Sequence, residues 1–189
     1  TARDRWLVEL LDTPELQRLR RIHQLGVSDV TYPGASHTRM SHTLGVLHLM
    51  QRVYDRIEQI RDDEEVKISR ASLLAAAVLH DVGHGPFSQL FEPCLGVDHE
   101  EWSVKIVRNT EGGVHAVLQK VHNSLPETVA KLIEKDNYDL PQWQKSLLSS
   151  QLDVDRIDYL LRDSLYTVAG YGHFDWYRLI HTLEFHRGP

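Results

Sequence analysis

Hydrophobic residues recur three and four positions apart along almost the whole chain, which is the spacing of amphipathic helices. The pattern predicts an all-α fold, with at most one short strand in the turn-rich connection at 27–37. The predicted helices are an amphipathic stretch with Leu7, Leu10 and Leu11, a helix from a cap at Asp12 to about Leu25, a helix from Thr38 or Ser41 through Ile57, and helices at about 69–81, 87–91, 100–107, 126–134, 142–165 and 176–185.

Polar and glycine-containing segments separate these helices. We expect Gly26 to end the second helix, the acidic run at 62–65 to form a solvated loop, and Gly112-Gly113 to be a break. Neither a linker nor a repeat divides the sequence, so we expect one domain over residues 1–189. Because the sequence lacks an initiator Met, we expect that domain to be a fragment of a longer chain.

Composition and charge narrow the range of functions. The formal net charge of −6 argues against a general binder of nucleic acids or anionic membranes. Cys94 is the one cysteine, which excludes an internal disulfide and fits a reducing compartment. Since neither a transmembrane-length apolar run nor a signal peptide is present, we expect a cytoplasmic protein. The chain has 12 histidines, a number that invites a search for metal or acid–base clusters.

The adjacent pair His80-Asp81 is the strongest sign of chemistry in the sequence. It ends an almost wholly apolar run, from Leu73 to Leu79, that predicts a buried helix. Burying such a pair costs desolvation, and a divalent cation is a partner that suits neutral imidazole and carboxylate together. The Gly and Pro residues at 83–86 then stop the helix and let the backbone approach a bound group.

A stripe of polar residues on the predicted helix at 142–165 is a second candidate. Asp155, Tyr159 and Asp163 are four residues apart and share one face, with Arg156 beside them. Carboxylates interleaved with a tyrosine and a basic residue suit a site for metal, phosphate and sugar. A solvated acidic face is the plainer alternative.

A third candidate lies where the helix through Ile57 begins. Arg39 is near the helix start, whose free N–H groups favour anions, and its guanidinium can bind a phosphate through two hydrogen bonds. His42 follows on the helix itself and can face inward. The plainer alternative is an exposed arginine beside a surface histidine.

Together, His42, His80-Asp81 and Asp155 resemble the H…HD…D metal signature of the HD-domain phosphohydrolase superfamily. The surrounding motifs are similar to those of the deoxynucleoside triphosphate (dNTP) triphosphohydrolases, a group that includes bacterial dGTPases and the vertebrate SAM-and-HD-domain enzyme. These motifs are Gln17 to Gly26, Pro33 to Gly45, His80 to Ser88 and Asp153 to Tyr159. The resemblance covers about Asp12 to Arg178 and implies an all-α HD-domain helical bundle around a central metal site.

The resemblance also implies a role for each matching residue and release of deoxynucleoside and inorganic triphosphate. The metal ligands would be His42, His80, Asp81 and Asp155, which suit one divalent transition metal (Fe, Mn, Zn or Ni). The substrate residues would be Arg39 and Arg156 on the triphosphate, which also takes Mg²⁺, Gln24 and Leu25 on the deoxyribose, Tyr159 under the sugar and Asp163 at its 3′-hydroxyl. The catalytic set would be His84, His99, Glu100 and Glu92.

A separate match concerns regulation. Asp12, Gln17, Arg20 and Arg178 resemble residues with which tetrameric relatives bind a guanine nucleotide at an activator site. The resemblance therefore implies GTP or dGTP as an activator and a homodimer or homotetramer as the assembly. Ordinary surface polar groups, with Asp12 as a helix cap, are the plainer alternative.

The sequence departs from the family at Gln89, where close relatives have a histidine that is favoured as the proton donor. A neutral amide cannot donate a proton usefully. Three explanations stay open: His84 or His99 takes over, the enzyme is slow or specialised, or Gln89 is an engineered substitution that traps substrate. Two other functions also stay open: a phosphodiesterase or 5′-nucleotidase with the same ligands, and a nucleotide-binding regulator with weakened turnover.

Overall fold

The computed structural model describes residues 2–137 and 139–185, without the side chains of Ala2, Asp29 and Gln89. This part of the chain is all-α, as the sequence predicts, with one isolated antiparallel bridge between His23 and Thr38 and no β-strand. The 3₁₀ helices are Ala2–Asp4, Arg18–Arg21, Ser28–Val30 and Gly170–Gly172, the third of them in the connection where the sequence permits a strand. The α-helices are α1 (Trp6–Leu11), α2 (Pro14–Gln17), α3 (Arg39–Ile60), α4 (Glu64–Leu79), α5 (Ser88–Leu95), α6 (His99–Arg108), α7 (Gly113–Val121), α8 (Leu125–Ile133), α9 (Gln142–Ser146), α10 (Val154–Thr167) and α11 (Trp176–His181).

Helix α4 is the central element of the core. Its residues from Leu73 to Leu79 are completely buried, which explains why this stretch is apolar on every side. Helices α3 and α10 pack against each other, and α4 packs against both α3 and α8. Because only residues 61–63 join α3 to α4, these two helices run antiparallel, and the start of α3 lies beside the end of α4. Within the described residues, no helix is long and apolar enough to cross a membrane.

Side-chain caps fix the residues at which α3 and α10 begin. The Thr38 hydroxyl accepts a hydrogen bond from the Ser41 N–H at 3.3 Å, so Thr38 rather than Ser41 caps α3. The Asp153 carboxylate accepts from the Arg156 N–H at 2.7 Å and caps α10. Each cap satisfies an N–H group that has no partner within its helix, and so determines which residues occupy the first turn.

The predicted helix that starts at Asp12 is wrong in its cap and in its length. Asp12 ends α1, and Thr13 occupies the N-cap position of α2. After α2 the chain tightens into the 3₁₀ helix Arg18–Arg21 and becomes extended at Ile22. The reason is a tertiary contact: the Ile22 carbonyl accepts the Arg39 N–H at 2.9 Å, so this segment pairs with the entry to α3.

Two segments that the sequence predicts as a loop or a break take part in helices. Asp63 caps α4 and Glu64 starts it, because carboxylates are favourable at a helix N-terminus. The acidic run is therefore only half a loop: Asp62 and Asp63 lie in the connection, and Glu64 and Glu65 form the start of α4. Gly113 begins α7, a helix that the sequence analysis lacks, and the Glu15 carboxylate caps it by accepting the Gly113 N–H at 2.7 Å.

The predicted helix at 142–165 is two helices, α9 and α10. Between them, the Asp153 carboxylate accepts the Ser150 N–H at 2.7 Å, and the Leu147 carbonyl accepts the Val154 N–H at 3.0 Å. These bonds close a turn that a continuous helix cannot contain. Asp155 therefore stands in the first turn of a new helix, not in the middle of a long one.

Candidate metal centre

Three segments bring the four predicted metal ligands together. His42 lies in the first turn of α3, and Asp155 lies in the first turn of α10. The predicted helix extends through Asp81, but α4 ends at Leu79, so His80 and Asp81 follow its last turn. Asp155 Oδ1 is 2.9 Å from His42 Nε2 and 3.6 Å from His80 Nε2. The Asp81 carboxylate is 3.8 Å and 3.5 Å from the same two nitrogens.

The donor atoms of this cluster suit a divalent transition metal. His42, His80 and Asp81 offer ligand atoms that all lie within 4.8 Å of one another. The Nε2 atoms of both histidines are buried without a hydrogen-bond partner, a costly state that a bound cation relieves. Imidazole nitrogen with carboxylate oxygen is a donor set of Zn, Fe, Mn and Ni sites. The residues present therefore fit the kind of metal that the sequence implies.

Hydrogen bonds at the Nδ1 atoms orient both histidines. His42 Nδ1 donates to Asp158 Oδ2 at 2.7 Å, and His80 Nδ1 donates to the Ala77 carbonyl at 2.9 Å. With the proton on Nδ1, the Nε2 lone pair is available for a metal. Arg162 holds Asp158 in turn, by donating to both carboxylate oxygens at 2.8 and 2.9 Å. The sequence analysis gives Asp158 no role, because its contact with α3 depends on how α10 packs.

The charges in this cluster strongly shift the pKa values of its side chains. Burial lowers the pKa of His42, but the carboxylates of Asp155 and Asp158 beside its two ring nitrogens outweigh it and raise that pKa to about 10. Burial also favours a higher pKa for Asp81, but neighbouring imidazoles and the Arg39 guanidinium hold that pKa well below its usual range. A cation that binds between these carboxylates therefore displaces a proton from His42.

The turn after α4, which carries two of the ligands, is held by side chains from outside it. Ser103 Oγ donates to the His80 carbonyl at 2.7 Å and accepts the Gly83 N–H at 2.8 Å. A side chain at position 83 would collide with the backbone of His99 and Ser103, so glycine is required there. Arg18 donates to two further carbonyls of the turn. No sequence pattern places Ser103 or Arg18 at this turn.

Beside the metal ligands, Glu92 joins two stacked histidines. The rings of His84 and His99 lie face to face with their centroids 3.8 Å apart. The Glu92 carboxylate accepts a hydrogen bond from His99 Nδ1 at 3.0 Å and lies 3.2 Å from His84 Nδ1. His84 Nε2 is 3.5 Å from Asp81. Glu100, the fourth predicted catalytic residue, lines the same cavity as His99.

The two histidines of this cluster differ in their surroundings. The His84 side chain is 6% exposed, and its Nδ1 is 2.5 Å from the Ser88 hydroxyl. Burial lowers the pKa of His84, so its imidazole is neutral at pH 7. The His99 side chain is 25% exposed and lines a cavity of about 410 Å³ that also contains His80 and Asp155. His99 is therefore the more accessible of the two to a ligand in that cavity.

A second, smaller cavity collects the predicted residues from the region before α3. Its volume is about 70 Å³, and Gln24, Leu25 and Arg39 are in its walls. Arg39 is 3% exposed and donates to Asp81 Oδ2 at 2.7 Å, which links this cavity to the metal ligands. Arg39 Nε and Gln24 Oε1 are buried without partners, so they offer one donor and one acceptor to a polar ligand.

The three predicted substrate residues of α10 fall in two places. Arg156 lines the larger cavity with the metal ligands, and its Nη1 donates to the Tyr159 hydroxyl at 2.9 Å. Asp163 lies about two turns further along, where its Oδ1 is 2.7 Å from His37 Nε2. The His37 side chain is fully buried and stacks on Tyr166. The buried His37 thus holds the Asp163 carboxylate, a contact that no sequence pattern predicts.

The residues matched to an activator site lie at the surface or close to it. Arg20 Nε donates to Gln17 Oε1 at 2.7 Å, so the structure brings these two together. Asp12 is exposed at the end of α1, and Arg178 is exposed in α11. The side chain of Gln89 lies outside the described residues.

The fold and the cluster together define an all-α domain built around a divalent-metal site. The family model described as HD domain matches residues 39–163, a range that contains all four metal-ligand candidates. The chain belongs to the HD domain family.

Its similar proteins include some with stated activities. The chain is 45% identical to the uncharacterized protein YwfO of Bacillus subtilis, over 97% of the chain and 41% of that protein. It is 32% identical to the deoxynucleoside triphosphate triphosphohydrolase SAMHD1 of Bos taurus, over 83% of the chain and 32% of that protein. The crystal structure of a phosphohydrolase from Bacteroides thetaiotaomicron matches with a TM-score of 0.76 and 37% identity, over 95% of the chain and 43% of that protein. The chain spans less than half the length of each of these relatives.

Proposed function

We propose that this chain carries the catalytic centre of a metal-dependent phosphohydrolase that converts dNTPs to deoxynucleoside and inorganic triphosphate. The observation that carries the proposal is the convergence of two unpartnered imidazole nitrogens and two carboxylates beside Arg39 and the His99–Glu92 pair. Similarity to SAMHD1 proteins and to a solved phosphohydrolase supports the reaction and the substrate class.

Two guanidiniums favour a highly charged phosphate substrate. Arg39 and Arg156 each have a buried Nε without a partner, and both lie close to the metal ligands. Guanidiniums bind phosphate oxygens through charge-assisted hydrogen bonds and stabilise charge that develops on a leaving triphosphate. A metal held by His42, His80 and the two aspartates would lower the pKa of water and supply the nucleophile at neutral pH.

His99 is the proposed proton donor to the departing 5′-oxygen. Glu92 accepts the Nδ1 proton of His99 and so orients the ring, which leaves Nε2 for proton transfer. His84 is the weaker candidate, because burial lowers its pKa and its Nδ1 is already beside Ser88 and Glu92. In this scheme the amide of Gln89 is not needed as the acid.

The deoxyribose would lie against Gln24 and Leu25, with Tyr159 under the sugar and Asp163 at the 3′-hydroxyl. Packing of Tyr159 against the sugar would disfavour a 2′-hydroxyl and so select deoxynucleotides. For regulation, we extend the proposal to a guanine nucleotide bound near the Gln17–Arg20 pair and to a homodimer or homotetramer. The support for these extensions is the resemblance of the sequence motifs to those of the dNTP triphosphohydrolases.

Product analysis tests the function directly. Mn²⁺-loaded protein is incubated with each dNTP, with and without dGTP, and inorganic triphosphate and deoxynucleoside are quantified by ion chromatography. We expect equal amounts of both products, lost in His42→Ala and kept in His122→Ala, which alters an exposed histidine. Monophosphate or pyrophosphate as product would indicate a nucleotidase or phosphodiesterase instead. Binding without turnover that Gln89→His restores would indicate a trapped or regulatory site.

A further inference from the structure

Arg18 makes contacts that the proposed reaction does not use. It lies on the 3₁₀ helix that follows α2, and its guanidinium reaches the turn after α4. There Nη1 donates to the His84 carbonyl at 2.6 Å, and Nη2 donates to the Val82 carbonyl. These carbonyls belong to the first and third residues after the metal-ligand candidate Asp81.

Two backbone carbonyls hold the Arg18 guanidinium in place. The residue is half-buried, and burial together with the nearby Arg39 guanidinium lowers its pKa. The Glu15 carboxylate acts in the opposite direction and raises the pKa of Arg18. That carboxylate also accepts the Gly113 N–H at the start of α7. Holding a guanidinium beside another one costs free energy, and the two carbonyl hydrogen bonds offset that cost.

Arg18 and Ser103 hold the same turn from different elements. Ser103 of α6 binds the His80 carbonyl and the Gly83 N–H, while Arg18 binds the Val82 and His84 carbonyls. The turn also places two functional side chains, those of Asp81 and His84. Ligand geometry has to be kept within about 0.5 Å, so the backbone from which these side chains project must be fixed.

We propose that Arg18 is a positioning residue for the metal centre. Its fork fixes the backbone at Val82 and His84, and thereby holds the Asp81 carboxylate toward the metal and the His84 ring against His99. The proposal rests on the proposed function only in that a metal binds at this centre. A lysine at this position keeps the charge but cannot reproduce the planar fork that spans two carbonyls.

The test compares metal affinity in Arg18→Lys and Arg18→Gln with that in Arg21→Lys. Arg21 is exposed on the same 3₁₀ helix and serves as the matched control. Free Mn²⁺ is measured by electron paramagnetic resonance during titration of each protein. We expect Kd for Mn²⁺ to rise about 10–100-fold in both Arg18 variants, as for other residues that orient metal ligands, and to stay unchanged in the control.

A second readout separates positioning from a merely structural role. Circular dichroism melts establish that each variant folds, and steady-state kinetics with a dNTP divide the effect between kcat and KM. We expect kcat to fall while KM changes less than about twofold, since catalytic geometry rather than substrate binding is disturbed. Wild-type Mn²⁺ affinity in both Arg18 variants would overturn the proposal, whether or not their melting temperatures fall.

Failure of the proposed function gives a different result. Wild-type protein that binds Mn²⁺ without releasing triphosphate would refute the reaction and leave the affinity comparison for Arg18 intact. Wild-type protein that binds no Mn²⁺ would refute the metal centre, and the positioning role with it.

Discussion

The hydrogen bond from His42 Nδ1 to Asp158 decides which nitrogen of that ring faces Asp155 and Asp81. Without it, the imidazole proton could move to Nε2, and the ring could rotate about its side-chain bonds. In either case the lone pair would no longer be held toward the two carboxylates. At the scale of single residues, Asp158 therefore orients the metal-ligand candidate His42 without being a ligand candidate itself.

Asp158→Asn is expected to weaken metal binding about 10–100-fold, the usual cost of losing a group that orients a metal-bound histidine. An asparagine amide can donate to Nδ1, which would favour the proton on Nε2 and block the metal-binding nitrogen. Mn²⁺ titration followed by electron paramagnetic resonance measures the change. Asp139→Asn, at an exposed carboxylate, is the control, and equal Kd values for the two variants would contradict the prediction.

The sequence is informative about the metal ligands but not about the groups that orient them. His42, His80-Asp81 and Asp155 have recognisable types and a recognisable order. The partners of these residues are set by contacts between distant segments: Asp158 is 116 residues from His42, and Arg18 is 66 residues from His84. Such contacts exist only after the helices have packed, so no local pattern predicts them.

At the scale of elements, hydrophobic period locates the helices better than it locates their ends. Helices α3, α6 and α8 follow their predictions closely. Helix α4 begins five residues before its predicted start, because the acidic residues of its first turn carry no apolar period. The break between α9 and α10 is missed because Leu147, Leu148 and Leu152 keep helical spacing across it. The polar contacts of Asp153 end the helical path there, and a period of apolar residues carries no information about them.

Asp153→Ala is expected to cost about 1 kcal/mol in the free energy of unfolding, since it removes the cap of α10. It should also weaken Mn²⁺ binding, because Asp155 lies in the turn that the cap fixes. Asp63→Ala is the matched control: it removes the cap of α4, at the end of that helix remote from His80. Urea unfolding should show similar losses for both variants, with Mn²⁺ affinity reduced in Asp153→Ala alone. A loss of affinity in both would contradict the assignment.

At the scale of the whole molecule, the metal centre connects parts of the chain that are far apart in sequence. Its candidate ligands come from the start of α3, the turn after α4 and the start of α10. In the unfolded chain these residues do not form a site. A cation that binds the native cluster therefore stabilises the fold by mass action.

Metal should accordingly raise the melting temperature. At a free Mn²⁺ concentration of 100 times Kd, the stabilisation is about 2.7 kcal/mol. For a chain of this size, that corresponds to a rise of roughly 5–10 °C. Differential scanning calorimetry should show the rise, its reversal by EDTA and its absence in His42→Ala. An equal rise in that variant would place the stabilising cation elsewhere.

Helix α5 carries part of the histidine cluster but lies outside the buried core. It is an eight-residue helix that contributes Ser88 and Glu92 to the paired histidines, yet its Phe91 and Leu95 side chains are 51% and 68% exposed. The metal ligands, by contrast, are anchored on the buried helices. Substitutions in α5 can therefore alter proton transfer while the core and its metal persist. Under the proposed function, changes in one short surface helix would be enough for a lineage to retune or lose turnover while the fold stays the same.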